Sequence, residues 1–276
     1  MPEGPEIRRA ADRIQKVLGG QRLRSVFFAF DPLRPWSERL RGERVAAVDT
    51  IGKHMLIRFD NGIRIYSHNQ LYGRWFVCPH DRMPETGRSL RLALKTESHS
   101  ALLYSASAID VIPEEAVGSD HRLADLGPDP LHAGVRLPQI KTRLLDPAFR
   151  RRALAGLLLD QGFFAGLGNY LRSEILHQAF VHPRCRPQDC TKTQLASLAH
   201  AILYLPRRSY RTGGITNDPA QVRQLRERGA PREALRFKVF GRAGAQCYQC
   251  GTRIRRSMIG GRRVYLCPSC QPEGNV

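Results

Sequence analysis

The chain has 276 residues, 42% of them hydrophobic, with 44 Lys and Arg against 25 Asp and Glu and a formal net charge of +19. That apolar share excludes a disordered chain, and no run approaches the roughly 18 apolar residues of a membrane span. A folded protein this basic points to a polyanion, nucleic acid being the commonest; an anionic membrane surface is the rival, but no basic amphipathic helix stands out.

In chain order, Ile7, Ala10, Ala11, Ile14, Val17 and Leu18 share one face, which predicts a helix over 5–18 ended by Gly19-Gly20. Pro5 suits its first turn. Strand-like runs follow: LRSVFFAF, RVAAVDT, HMLIRF, IRIYSH, RWFVC, LRLALKT and ALLYSA, with Asp60-Asn61-Gly62 as a hairpin turn. Many short strands predict a β-sandwich or barrel. LGPDPL, at 126–131, is rich in turn formers and reads as a linker. Helices are expected at about 138–146, 150–160, 169–180 and 191–205, and a mobile loop with at most one short helix over 207–236.

Seven cysteines are present, and four have a regular spacing: Cys247-x2-Cys250-x16-Cys267-x2-Cys270. With no apolar leader core the protein is expected in the cytosol, where paired Cys-x-x-Cys motifs mean structural zinc rather than disulfides. Cys78, Cys185 and Cys190 are expected as free thiols, and the irregular His182, Cys185, Cys190 spacing does not predict a second metal site. Between Arg207 and Arg263 stand 15 basic and 3 acidic side chains, overlapping the metal motif.

Two further stretches can carry chemistry. In QGFFAGLGNYLRSEIL, 161–176, Gly166 and Gly168 allow a tight turn and Asn169 opens a helix whose free N–H groups suit a phosphate; a plain helix–turn–helix corner capped by Asn169 reads equally well. In SHNQLYGRW, 67–75, Gln70, Leu71 and Tyr72 lie in or near a turn. Exposed, such a triplet is a wedge that fills the gap left by an extruded nucleotide; buried, Leu71 and Tyr72 are core residues.

Taken with PEGPEIRRAAD, Gly52-Lys53, YSHNQLYG, LLLDQGFFAGLGNYLRSEIL, RFKVF and the four-cysteine terminus, the sequence resembles the formamidopyrimidine-DNA glycosylase/endonuclease VIII family over nearly its whole length, and is most similar to its bacterial endonuclease VIII branch. The resemblance implies an α+β protein: an N-terminal β-sandwich with a leading helix (1–125), a linker (126–135), a helical domain with a helix–two-turn–helix motif (136–236) and a zinc-finger hairpin (237–276). Damaged duplex DNA would lie in the cleft between the two halves, bound by a monomer with no membrane partner.

The resemblance also implies roles. Pro2, bared by loss of Met1, would be the nucleophile, since an N-terminal amine keeps a neutral fraction near neutral pH. Glu3 would be the general acid/base, and Lys53 would bind a phosphate and assist proton transfer. Asn169 would bind phosphate, as would Arg262 near the zinc-hairpin tip, with Arg263 its nearest competitor. One structural zinc on Cys247, Cys250, Cys267 and Cys270 would hold that hairpin. Glu6 either orients the site or stabilises the first helical turn. Two features depart from the family pattern: His54, which either alters the local pKa or is an ordinary strand residue, and an arginine-rich extension before RFKVF, where the family contacts the lesion base.

The expected activity is a bifunctional DNA glycosylase/AP lyase acting on oxidised pyrimidines. The same mechanism on oxidised purines, a non-catalytic zinc-finger DNA-binding protein and an RNA-binding module are the alternatives, and the second of these leaves Pro2-Glu3 without a purpose.

Overall fold

In the computed structural model the described residues are 2–80 and 82–273, and Met1, whose removal the sequence reading invokes, lies outside them. The chain divides into two compact units, Met1–Asp125 and Leu126–Val276. Among the described residues no helix is long and apolar enough to cross a membrane.

The N-terminal unit opens with α1 (Gly4–Leu18), which starts at Glu3 with Pro5 in its first turn and stops where Gly19 N–H closes onto Gln15 O at 2.9 Å. Its apolar face, Ile7, Ala10, Ala11, Ile14 and Leu18, is buried. Eight strands follow: β1 (Ser25–Phe28), then, after the short helix α2 (Pro35–Arg39), β2 (Val45–Ile51), β3 (His54–Phe59), β4 (Arg64–His68), β5 (Arg74–Pro79), β6 (Leu90–Lys95), β7 (His99–Tyr104) and β8 (Ala108–Ile112). They form two four-stranded antiparallel sheets, ordered β1-β6-β7-β5 and β2-β3-β4-β8. Phe28, Leu92, Leu94 and Leu103 of the first sheet share one core with Met55, Ile57, Phe59 and Ile65 of the second and with Ile7 and Ile14 of α1, the packing of a sandwich. The strand β8 is not among the expected runs, because Asp110 interrupts its apolar pattern; it pairs with β4 in register from Arg64↔Ile112 to His68↔Ala108. A short helix, α3 (His121–Ala124), follows.

The C-terminal unit is helical: α4 (Leu137–Leu145), α5 (Leu154–Leu157), α6 (Asn169–Gln178), α7 (Lys192–Thr212), α8 (Pro219–Glu227) and α9 (Arg232–Arg236), then the hairpin β9 (Arg255–Ile259) and β10 (Arg262–Leu266). Its core gathers Phe163, Phe164, Leu171, Ile175, Leu198 and Ile202.

Three sequence expectations need correction. The helix foreseen over 150–160 is only one turn, α5, and the rest is turns. The helix foreseen to stop at 205 runs through Pro206 to Thr212 and ends at Gly213 in the left-handed conformation, φ 74. An interior proline normally ends a helix by removing a backbone donor; here Leu205 and Pro206 are buried, and beyond them Arg207 reaches Pro130 O and Val135 O, each at 2.9 Å. Finally, 207–236 is no loop. Past Gly213-Gly214, α8 and α9 fold over a small core of Ile215, Val222 and Leu235.

Candidate active site and nucleic-acid interface

In the N-terminal unit, Pro2 precedes a helix start. Glu3 carries the first helical acceptor, its carbonyl taking N–H bonds from Glu6 (3.0 Å) and Ile7 (3.1 Å), while its own N–H donates to Glu6 Oε2 at 3.0 Å. Glu6 thereby stabilises the first turn, and the Glu3 residue is only 2% exposed. Pro2, Glu6, Asn69, Leu71, Tyr72 and Arg88 are among the residues around a cavity of about 410 Å³. The sequence alone does not bring these segments together.

The 67–75 stretch leaves β4 through a tight turn. Gly73 N–H returns to Asn69 O at 2.7 Å, and a side chain at 73 would meet that carbonyl oxygen at 2.5 Å, so only glycine fits. Gln70 is left-handed, φ 51, its side-chain oxygen accepting from the Ser107 hydroxyl. Arg88 Nη1 donates to Tyr72 O at 2.5 Å. Leu71 and Tyr72 are 61% and 70% exposed, which removes the reading of these two as core residues.

Lys53 lies with Gly52, φ 59, in the two-residue turn between β2 and β3, where Ile51 pairs with His54; it is 8% exposed, low for a lysine. Beside it His54 and His68 face each other across β3 and β4, ring centroids 4.9 Å apart. Burial, helped by the charges of His68, Lys53 and Arg122 and opposed by Asp120, pushes His54 down to about 4, and burial with Lys53 pushes His68 in the same direction. Burial also raises Tyr66, whose hydroxyl is 2.8 Å from His54 Nδ1.

In the C-terminal unit, Gly166 (φ 90) turns the chain, Gly168 caps α6 and Asn169 is its first residue. Two charged residues that the sequence reading passed over organise this region. Arg172, fully buried, donates from Nη1 to Ala155 O (2.9 Å) and from Nη2 to both Asn169 Oδ1 (2.6 Å) and Arg263 O (2.8 Å). Glu174, also fully buried, accepts from the Thr216 hydroxyl (2.7 Å) and from the backbone N–H of Lys238 (2.9 Å), Val239 (2.9 Å) and Phe240 (3.0 Å). One helix thus fixes the Asn169 side chain, the 216 region, the RFKVF segment and the hairpin. The available signal was the apolar company of these charges: Tyr170, Leu171, Ile175 and Leu176 leave α6 no polar face.

The hairpin turns on Gly260-Gly261, both with positive φ (57 and 71), so that Arg262 pairs with Ile259 next to the tip; Arg262 and Arg263 are both exposed. At the hairpin base, the ligand atoms of Cys247, Cys250, Cys267 and Cys270 lie within 4.8 Å of one another. Sulfur separations of 3.4, 3.5 and 3.9 Å match the spacing of about 3.8 Å that Zn–S bonds of about 2.3 Å give in a tetrahedron. These cysteines therefore fit one metal ion; no second such cluster occurs among the described residues, and Cys78, Cys185 and Cys190 are free.

Residues 1–107 match the Formamidopyrimidine-DNA glycosylase N-terminal domain and residues 126–219 the Formamidopyrimidine-DNA glycosylase H2TH domain. The chain belongs to the formamidopyrimidine-DNA glycosylase family. Within that family it is 45% identical over 271 residues, 98% of this chain and 100% of the relative, to Endonuclease 8 of Klebsiella pneumoniae, and equally to that of Salmonella heidelberg. In fold it is similar to Lactococcus lactis Fpg (MutM) bound to DNA containing an oxidized pyrimidine, with TM-score 0.80, 20% identity and coverage of 99% of this chain and 100% of that one. MutM in complex with DNA containing carbocyclic 8-oxo-G is also similar, with TM-score 0.80. The helical unit with its helix–two-turn–helix region and the N-terminal sandwich are those of an Fpg-like fold.

Proposed function

We propose that this member of the family is a bifunctional DNA glycosylase and AP lyase of base excision repair, acting on oxidised pyrimidines in duplex DNA. Its similarity to Endonuclease 8 proteins over nearly their full length supports the class of reaction. The observation that carries the mechanism is the cavity shared by Pro2 and the exposed Leu71 and Tyr72. A nucleophile and a base-stack wedge on one cavity are what attack on an extruded nucleotide needs.

Once Met1 is removed, the Pro2 nitrogen attacks C1′ of the damaged nucleotide and the base leaves with its bonding pair. Glu3 protonates the ring oxygen as the sugar opens, and the nitrogen becomes an iminium. Its positive charge acidifies the C2′ proton; loss of that proton expels the 3′ phosphate, and a second elimination expels the 5′ phosphate. The positive end of α1 lies beside Pro2 and disfavours an ammonium there, which raises the neutral, nucleophilic fraction. Lys53, Asn169 and Arg262 bind backbone phosphates, and Gln70, Leu71 and Tyr72 fill the vacated stack. Zinc on the four cysteines is structural, since four thiolates leave no open position. Such an enzyme works on chromosomal DNA, in the cytosol at the nucleoid.

Borohydride trapping tests the proposal. Processed protein incubated with a duplex bearing one thymine glycol or dihydrouracil gives a covalent adduct through Pro2. Pro2→Ala and protein retaining Met1 give none. Absence of an adduct with every damaged base tried favours a non-catalytic DNA-binding protein, and faster trapping on 8-oxoguanine assigns purines instead.

A further inference from the structure

The departure at position 54 has a place in the fold. His54 stands directly opposite His68 in the β3–β4 register, and its ring packs against that of His68, tilted by 56°. On its other side, Nδ1 is 2.8 Å from the Tyr66 hydroxyl. The Tyr66 ring in turn carries the Arg122 guanidinium 4.3 Å from its centroid, and Arg122 is fixed by Asp110 (2.9 Å) and Asp120 (2.8 Å). At the far end, His68 Nδ1 accepts the Gln70 N–H at 3.0 Å. A continuous chain of contacts therefore runs from two carboxylates to the backbone of the first wedge residue.

Gln70 is the residue that needs holding. Its left-handed φ of 51 is costly for a side-chain-bearing residue and persists only where neighbours over-determine it. Two bonds do so: the Gln70 N–H to His68 and the Ser107 hydroxyl to the Gln70 side chain. The bond to His68 requires a free lone pair on Nδ1, hence a neutral ring protonated at Nε2. Burial and the positive charges of Lys53 and Arg122 keep His54 neutral against the opposing pull of Asp120, and burial with Lys53 keeps His68 neutral. Tyr66 stays protonated, and its hydroxyl and His54 Nδ1 share one hydrogen bond in either tautomer.

We propose that His54 is a positioning residue for the wedge loop: clamped by Tyr66 and packed on His68, it fixes the imidazole that holds the Gln70 backbone and so the projection of Leu71 and Tyr72. The inference rests on reading Gln70–Tyr72 as the wedge. It extends that reading to a residue that touches neither substrate nor the reacting atoms.

The test compares two reactions of the full-length, Met1-processed protein. Single-turnover excision of dihydrouracil from a duplex, with 2-aminopurine next to the lesion reporting extrusion, needs the wedge. Strand cleavage at a preformed abasic site in a single strand has no stack to fill. His54→Ala slows duplex excision and the fluorescence rise about tenfold, the size expected for one lost buried hydrogen bond, and leaves single-strand cleavage within about twofold. Tyr66→Phe does the same, and adding it to His54→Ala causes no further loss. His54→Asn, whose Oδ1 occupies the place of Nδ1, recovers most of the duplex rate. Equal loss in both reactions, as from general unfolding, overturns the proposal, as does no loss in either. If Leu71→Ala leaves duplex excision unchanged, the wedge reading itself fails and the inference falls with it.

Discussion

Replacing Arg172 with methionine asks whether one buried guanidinium ties the start of α6, the Ala155 region and the β9–β10 hairpin together. Methionine keeps much of the aliphatic stem but leaves Ala155 O, Asn169 Oδ1 and Arg263 O without their donor. Arg172 is 0% exposed, so water does not take its place. Each acceptor stranded in the interior costs about 1 kcal/mol or more, and relief from burying a charge offsets part of that, for a net loss of about 3 kcal/mol. In a domain of about 150 residues this lowers Tm by about 6–12 °C. The same substitution frees the Asn169 side chain and the backbone next to Arg262, so affinity for a duplex with an abasic-site analogue falls at least about tenfold. Melting at fixed zinc and fluorescence anisotropy at fixed salt measure the two effects. Arg172→Lys, a compact donor in place of a planar fork, falls between wild type and Met. A Met variant that melts within about 2 °C of wild type and binds equally well refutes the reasoning.

The other predictions concern pH, zinc and salt. His54 and His68 both titrate below the ordinary 6.5 when folded, so the stability they contribute is present above pH 6.5 and lost as pH falls below it, for His54 as pH falls toward about 4. For His54 alone this amounts to about 3 kcal/mol, and urea melts of wild type and His54→Asn should converge as the pH is lowered across that window; parallel curves count against it. Arg262→Ala keeps one zinc per chain but loses about tenfold in DNA affinity, whereas chelation removes both; zinc loss in the Ala variant would make Arg262 a structural residue. Binding should weaken about a thousandfold between 50 and 200 mM salt if about six phosphates are contacted, and a nearly flat response contradicts a phosphate role for the basic stretch.

Legibility in the sequence followed the range of the interactions. The strand β3 was readable because HMLIRF is a short apolar run that meets a glycine turn, and Gly62 indeed has φ 82. The cysteine tetrad was readable because the ligand spacing is local. Where tertiary contacts overrule local signals, reading failed. Pro206 argued for a helix end, yet contacts from Arg207 to the 130–135 segment carry the helix on. The helices α8 and α9 were hidden because Val222 and Leu235 are sparse among arginines and find their partners in each other and in Ile215, Leu225 and Ala230. Arg172 and Glu174 carry no local signal of their acceptors and donors, which come from distant segments. At the candidate site, Pro2 is proposed through family resemblance, while the exposure of Leu71 and the pairing of His54 with His68 depend on turn geometry and strand register.

One local rule recurs in both units. Pro2 and Glu3 stand at the start of α1, and Gly168 and Asn169 at the start of α6. A helix start leaves N–H groups without intrahelical partners and carries the positive end of the dipole, so it stabilises negative charge and resists positive charge. At α6 that property suits a resident phosphate. Under the proposed mechanism it disfavours protonation of the Pro2 amine at α1, and the Glu6 carboxylate, engaged with the Glu3 N–H, helps keep that start ordered. A nucleophile on a frayed terminus would have to be ordered at each encounter, at a conformational cost of about 1–2 kcal/mol per residue. Fixing the first turn removes that cost before DNA arrives. Glu6→Ala should therefore slow adduct formation while leaving binding of an abasic-site analogue nearly unchanged, and a parallel loss of binding would show that Glu6 acts on the DNA instead.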